Sequence, residues 1–160
     1  MVRYLTIILF IWSVLPIYPQ SSAEPKRNEV ISARHPNGLK KLVMVFEGEG
    51  LNETLVAKYG FYDNGLKYFI ESYNNNKKHG KSLYWYSNGN QKEELNYNNN
   101  KLDGDYTQWY ENGESFINST YKDDKLNGPN SEWNQDGIKI SEGTYRNDDK
   151  IDSWTYWYDS

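Results

Sequence analysis

A tract recurs in this chain at a fixed 24-residue period. It reads Tyr73-Asn-Asn-Asn-Lys-Lys-His-Gly80, Tyr97-Asn-Asn-Asn-Lys-Leu-Asp-Gly104, Tyr121-Lys-Asp-Asp-Lys-Leu-Asn-Gly128 and Tyr145-Arg-Asn-Asp-Asp-Lys-Ile-Asp152. A second tract keeps the same beat: Trp85-Tyr-Ser-Asn-Gly89, Trp109-Tyr-Glu-Asn-Gly113, Trp133-Asn-Gln-Asp-Gly137 and a truncated Trp157-Tyr-Asp-Ser160. Registered copies in this size range are the signature of a stacked array. Such an array offers a long repetitive surface, not one deep pocket.

The beat weakens upstream. Phe61-Tyr-Asp-Asn-Gly65 keeps the spacing, but Val56 stands where Gly80 would be, and Asn37 precedes Asn64 by 27 residues. This divides the chain into degenerate units over 34–72, good units over 73–144 and a half unit over 145–160.

The first 23 residues are of another kind. Arg3 precedes an almost unbroken apolar run from Leu5 to Leu15, and Ser21-Ser22-Ala23 places small residues where a signal peptidase reads. The pattern is that of a cleaved secretory signal, and the run is short for a spanning helix. Residues 24–33 read as a flexible lead-in of low hydrophobicity. The chain is therefore expected to be exported, to the periplasm or beyond, with no membrane span after cleavage. It has no cysteine, so disulfides, thiolate metal sites and Cys nucleophiles are out of reach. Its net charge of −4 argues against nucleic acid and anionic membrane as partners, since both demand a basic footprint. Aromatics make up 16% of a chain that is hydrophilic on average, which suits a thin sheet with aromatic stripes.

Asn-Gly or Asp-Gly between alternating runs is the strongest short-range hairpin signal. It occurs at 37–38, 64–65, 88–89, 112–113 and 136–137. With Asn and Gly as the central pair of a type I′ turn, Phe61 faces Tyr68, Trp85 faces Lys92, Trp109 faces Phe116 and Trp133 faces Ile140. Strand alternation then puts Phe61, Tyr68, Trp85, Trp109, Phe116, Trp133 and Trp157 on one face. Tyr62, Tyr84, Tyr86, Tyr110, Tyr156 and Tyr158 fall on the other. The second connection, Asn74 to Gly80 and its copies, reads as a longer polar loop, of a different shape where Asp152 replaces Gly. The expected fold is all-β: an elongated antiparallel meander of repeated hairpins in a single-layer sheet, with at least eight strands. The last strand is an edge, with Trp154, Tyr156 and Tyr158 on one side and Trp157 on the other.

These residues carry a resemblance. Tyr-x-x-Asn/Asp-Lys-Leu-x-Gly followed by aromatic-Tyr-x-Asn-Gly resembles the variant MORN repeat of bacterial proteins over about residues 59–160. Where that family often has its first Gly, this chain has Asn76, Asn100, Asp124 and Asp148. Asn and Asp are the next best residues in a left-handed conformation. The resemblance implies an elongated β-meander working in protein interaction, and some relatives carry an antitoxin-like label.

No catalytic constellation emerges. His35 and His79 lack repeated counterparts and read as turn residues. Asp123-Asp124 and Asp148-Asp149 occupy the loop position held by Asn74–Asn76 and Asn98–Asn100 in the beat, and read as solvated turns. Neither cofactor nor metal is expected. Asn52-Glu-Thr54 and Asn118-Ser-Thr120 are sequons that matter only where exported proteins are glycosylated. The function expected is a non-catalytic interaction module or scaffold in the cell envelope, with a protein partner or an edge-to-edge dimer. The alternatives are a glycan- or cell-wall-binding aromatic array and an antitoxin-like partner-binding protein.

Overall fold

The computed structural model describes residues 26–158, so the signal segment lies outside the described residues. Eleven strands follow one another: β1 (Arg27–Arg34), β2 (Lys40–Glu47), β3 (Thr54–Phe61), β4 (Lys67–Asn74), β5 (Lys77–Trp85), β6 (Gln91–Asn98), β7 (Lys101–Trp109), β8 (Ser115–Lys122), β9 (Lys125–Trp133), β10 (Lys139–Arg146) and β11 (Asp149–Tyr156). Each pairs antiparallel with the next in one open sheet whose order is the order of the sequence. A single 3-10 turn, Gly50–Asn52, is the one helical element among the described residues. The all-β meander expected from the period is the fold observed.

The two kinds of turn are exchanged relative to expectation. The tight two-residue turn is Asn75-Asn76 and its copies. Asn74 pairs with Lys77, and φ is 48° at Asn75 and 60° at Asn76, then 51° and 72° at Asn99 and Asn100. Positive φ at both central positions is what a type I′ turn requires. Asn and Asp supply it because a short polar side chain lowers the cost of the left-handed region. Residues 77–80, expected in a loop, instead begin β5, with Gly80 (φ 83°) at a bulge. His79 therefore lies in a strand and not in a turn.

The Asn-Gly turns are one residue longer than a type I′ hairpin. The Tyr86 amide donates to the Asn90 carbonyl at 2.8 Å, and the Gly89 amide to the Tyr86 carbonyl at 3.0 Å. Three residues thus bridge the strands, with only Gly89 left-handed (φ 92°). This is the three-residue loop in which a left-handed Gly follows the turn. Trp85 consequently pairs with Gln91, not Lys92. Phe61 pairs with Lys67, Trp109 with Ser115 and Trp133 with Lys139. The next pair, Tyr84 with Glu93, is the one a two-residue turn would have given. The slip is absorbed by bulging out Lys92. Tyr68, Phe116 and Ile140, the other expected partners, are likewise the bulged residues of their strands.

Two departures shape the N-terminal end. Residues Arg27–Arg34, most of the expected flexible lead-in, form β1 and pair with β2, because Val30 and Ile31 extend the β-prone run of the Val43–Phe46 segment beside them. The connection between β2 and β3 spans 48–53, six residues in place of two. With β3 one residue shorter than β5, β7 and β9, it accounts for the three extra residues of the early unit.

The sheet has two faces and no second layer. Cross-strand pairing carries one row through Val43, Tyr59, Ile70, Leu83, Glu94, Thr107, Asn118, Ser131, Glu142 and Thr155. Phe61, Trp85, Trp109 and Trp133 lie two residues along from members of this row, so they share its side; this is the Trp face. The opposite, Tyr face carries Phe69, Tyr84, Tyr106 and Tyr156. Its buried row is mostly polar: Ser82, Ser119 and Asn130 with one aliphatic residue, Leu95, none more than 7% exposed. They lie among larger rings, such as the Tyr106–Tyr121 pair with centroids 5.8 Å apart. Aliphatic burial is confined to Val43, Val45, Leu55 and Leu95.

Two glycines mark close approaches on the Tyr face. A Cβ on Gly60 would fall 2.3 Å from the Phe69 ring, and one on Gly143 2.3 Å from Trp154. Each ring covers the backbone where no side chain can stand, the aromatic cover that repairs a glycine in a strand.

Candidate functional site

Equivalent positions of successive repeats are two strands apart, about 10 Å. The repeats are tied across that gap by side chains. The Tyr62 hydroxyl donates to the Trp85 carbonyl at 2.8 Å, Tyr86 to Trp109 at 2.9 Å and Tyr110 to Trp133 at 2.9 Å. His35 takes the same place one unit earlier, its Nε2 at 2.8 Å from the Phe61 carbonyl. This loop histidine is thus structural. Burial pushes the Tyr62 and Tyr110 phenols up from their ordinary value. Turn asparagines add a second rung. Asn64 Nδ2 donates to Ser87 O, Asn88 to Glu111 O and Asn112 to Gln135 O, at 2.8–3.0 Å.

The opposite rim of the sheet is tied in the same manner. Asn100 Oδ1 accepts from the Lys78 amide at 2.7 Å, Asp124 Oδ1 from Leu102 at 2.7 Å and Asp148 Oδ1 from Leu126 at 2.8 Å. Asn100, Asp124 and Asp148 stand where the resembling repeats often have Gly. Each combines a left-handed φ with a bond that Gly cannot make. Asp123 bonds Lys101 at 3.1 Å, which holds its carboxyl below the ordinary value. These carboxylates are turn and ion-pair groups, as expected from their place in the beat.

The expected aromatic stripe is divided by the bulges. Phe61, Trp85, Trp109 and Trp133 remain in line on the Trp face, half-buried. Tyr68 and Phe116 do not join them. Tyr68 packs on Tyr62 with centroids 5.0 Å apart and on Tyr84 at 6.4 Å, and Phe116 packs on Tyr110 at 4.8 Å. A bulge places two consecutive side chains against one partner, which carries these rings to the Tyr face. Cations take their place beside the tryptophans. Lys67 Nζ lies 5.9 Å from the Trp85 ring and Lys139 Nζ 5.3 Å from Trp133. Trp157 follows the end of β11. Its amide donates to the Ile140 carbonyl at 3.0 Å and its side chain is 42% exposed.

Three shallow hollows open on the Trp face. The most apolar, about 420 Å³, is bounded by Phe61, Leu66, Lys67, Trp85 and the turn glycines Gly65 and Gly89. Two polar hollows of about 280 and 310 Å³ adjoin one another over β7 to β11. Asp105, Thr107, Asn118, Thr120 and Ser131 border the first, and Ser131, Glu142, Thr144, Ser153 and Thr155 the second. Sequence reasoning missed these polar residues. Their signal was available: Thr107 and Ser131 lie two residues before Trp109 and Trp133, hence on the same face.

The densest polar cluster is on the Tyr face. The Glu71 carboxylate accepts from Lys78 Nζ at 2.5 Å, the Tyr84 hydroxyl at 2.7 Å and the Tyr73 hydroxyl at 2.8 Å. Burial alone would raise the Glu71 acid, but these three donors outweigh it and hold it below the ordinary carboxylate range. Burial, then the Glu71 bond, pushes the Tyr73 and Tyr84 phenols far up. Every donor is matched, so the cluster behaves as a locked cross-strand brace.

The edge strand is where the sequence places it. Among the described residues β11 pairs with β10 alone. On its Tyr-face side, Trp154 and Tyr156 stack at 6.2 Å, with Lys150 Nζ 3.9 Å from Trp154. Tyr158 is 88% exposed. At the other end of the sheet β1 pairs with β2 alone among the described residues. No protein-family model matches this chain, and no curated protein matches it in sequence.

Proposed function

We propose that this chain is an exported, MORN-like repeat protein that acts as a non-catalytic scaffold in the cell envelope and takes a protein partner along β11. One observation carries the reading. β11 offers a row of unpaired backbone groups on its outer side, flanked by the exposed rings of Tyr156 and Tyr158. Strand addition to such an edge draws affinity from main-chain hydrogen bonds and specificity from alternate side chains. The repeats behind it supply a stiff support in which each hairpin is held by two neighbours. The antitoxin-like label of resembling proteins fits the same mode, a partner captured and not transformed.

The test is capture from envelope extract with the full mature chain and with a Ser153→Lys/Thr155→Lys pair. Both positions are exposed on β11, and edge lysines block strand addition. A protein retained by the native chain and lost with the pair supports the reading. Equal retention would overturn it. Sequencing of exported protein should begin after Ala23; a chain that begins at Met1 would remove the cleaved-signal part.

A further inference from the structure

We infer that the Trp face is a binding platform for an extended, neutral, β-linked glycan, a surface that reaches β11 at Ser153 and Thr155. The first observation is the asymmetry between the faces. On the Tyr face many polar groups bond one another, Glu71 with Lys78, Tyr73 and Tyr84, Tyr106 with Gln108 and Asn130 with Ser119, while Ser82 Oγ, Asn130 Oδ1 and Trp154 Nε1 are buried without a partner and closed to a ligand. On the Trp face Thr107, Asn118, Thr120, Ser131 and Thr144 lie in adjoining hollows. Among the described residues, none of their side chains bonds another protein group. A row of open hydroxyls and an amide is a poor seat for an apolar protein patch, which would leave each one desolvated without a partner. A polyhydroxylated chain would satisfy them.

The second observation is the aromatic row beside them. Phe61, Trp85, Trp109 and Trp133 recur every second strand, about 10 Å apart. That interval is close to the length of one disaccharide in an extended β-linked glycan. Sugar rings present an apolar face of axial C–H groups and a rim of equatorial hydroxyls. Half-buried indoles suit the former and the Thr/Ser/Asn row the latter. Turn glycines Gly65 and Gly89 add no side chain to the Phe61–Trp85 hollow, which Leu66 and Lys67 also border.

Charge selects the kind of glycan. The acids and bases of this face are mixed in sign, with Asp105 in the first hollow and Lys67 beside Trp85 outside the salt bridges among the described residues. Lys81 pairs with Glu94, and Lys139 with Glu142 at 2.7 Å. There is no basic footprint for a sulfated or uronic chain, and the protein is acidic overall. A neutral chain loses nothing on docking there.

The experiment uses the full mature chain with cellohexaose and chitohexaose, followed by tryptophan fluorescence and calorimetry, with heparin as the polyanion arm. Either neutral hexasaccharide should bind and shift the tryptophan emission, and its disaccharide should bind at least about tenfold more weakly because it spans one ring. Trp109→Ala should weaken binding about tenfold or more. If that variant is poorly folded, Thr107→Val/Ser131→Ala decides, since it removes two hydroxyls with little change of shape; binding should fall severalfold. Tyr121→Phe, on the opposite face, should bind sugar as the native chain does. Loss of binding with Tyr121→Phe equal to that with Trp109→Ala, no response to either hexasaccharide, or a response to heparin only would overturn the inference. None of those outcomes bears on protein capture at β11, so the two readings fail separately.

Discussion

The Tyr86 hydroxyl donates to the carbonyl oxygen of Trp109, 23 residues ahead, at 2.9 Å. It spans the turn of one hairpin and the end of the next, so two repeats share one hydrogen bond besides their strand pairing. Tyr86→Phe keeps the ring and removes the donor. It should destabilise the sheet by about 1 kcal/mol, and Tyr110→Phe by a similar amount. Urea denaturation with an unchanged slope would check both. A loss near zero would mean that water replaces the phenol without penalty.

Asp124 combines a left-handed backbone (φ 69°) with a side-chain bond to the Leu102 amide at 2.7 Å. The two contributions separate by substitution. Asp124→Asn keeps both and should stay close to the native stability. Asp124→Gly keeps the conformation and loses the bond, costing about 1 kcal/mol. Asp124→Ala loses the bond and adds about 1–2 kcal/mol for the left-handed Cβ. An order other than Asn, Gly, Ala in thermal unfolding would refute the dual role.

Trp109 sits between complete repeats, whereas Trp157 follows the last strand and is 42% exposed. Trp109→Ala should cost about 3 kcal/mol, the lower end for a large aromatic because the ring is only half-buried. Trp157→Ala should cost under about 1 kcal/mol, as expected at an exposed position. Equal losses in parallel denaturation curves would remove the case for a graded array.

Glu71 is held below its ordinary value of 4.5 by Lys78, Tyr84 and Tyr73 against the opposing effect of burial. A depressed folded-state carboxyl stabilises above its unfolded pKa, and that stability is lost as the pH falls through the lowered value. The native chain should therefore lose stability from about pH 4.5 downward. Glu71→Gln should show a shallower acid limb and lower stability at neutral pH. Identical acid limbs would place the sensitivity elsewhere.

Much of the molecule was legible before any coordinates. The period, the Asn-Gly signals and strand alternation determined an all-β meander in chain order, the opposite facing of Tyr84 and Trp85, and β11 as an edge. These are local properties, set by which residues tolerate positive φ and by the two-residue period of a strand. What needed the tertiary structure was the allocation of turn types. Asn-Gly and Asn-Asn both tolerate left-handed φ, so the sequence alone does not say which becomes the two-residue turn. That choice is made between repeats. Asn100, Asp124 and Asp148 reach back to amides of the preceding hairpin only if their pair forms the tight turn, and Tyr86 and Tyr110 reach Trp109 and Trp133 only if the Asn-Gly loop is longer by one residue. The bulges at Tyr68, Lys92, Phe116 and Ile140 follow from that one residue, and they moved Tyr68 and Phe116 to the other face. A one-residue slip reverses every side chain beyond it unless a bulge restores the register. Hydrogen bonds between repeats, absent from any single hairpin, therefore decided which rings line the Trp face.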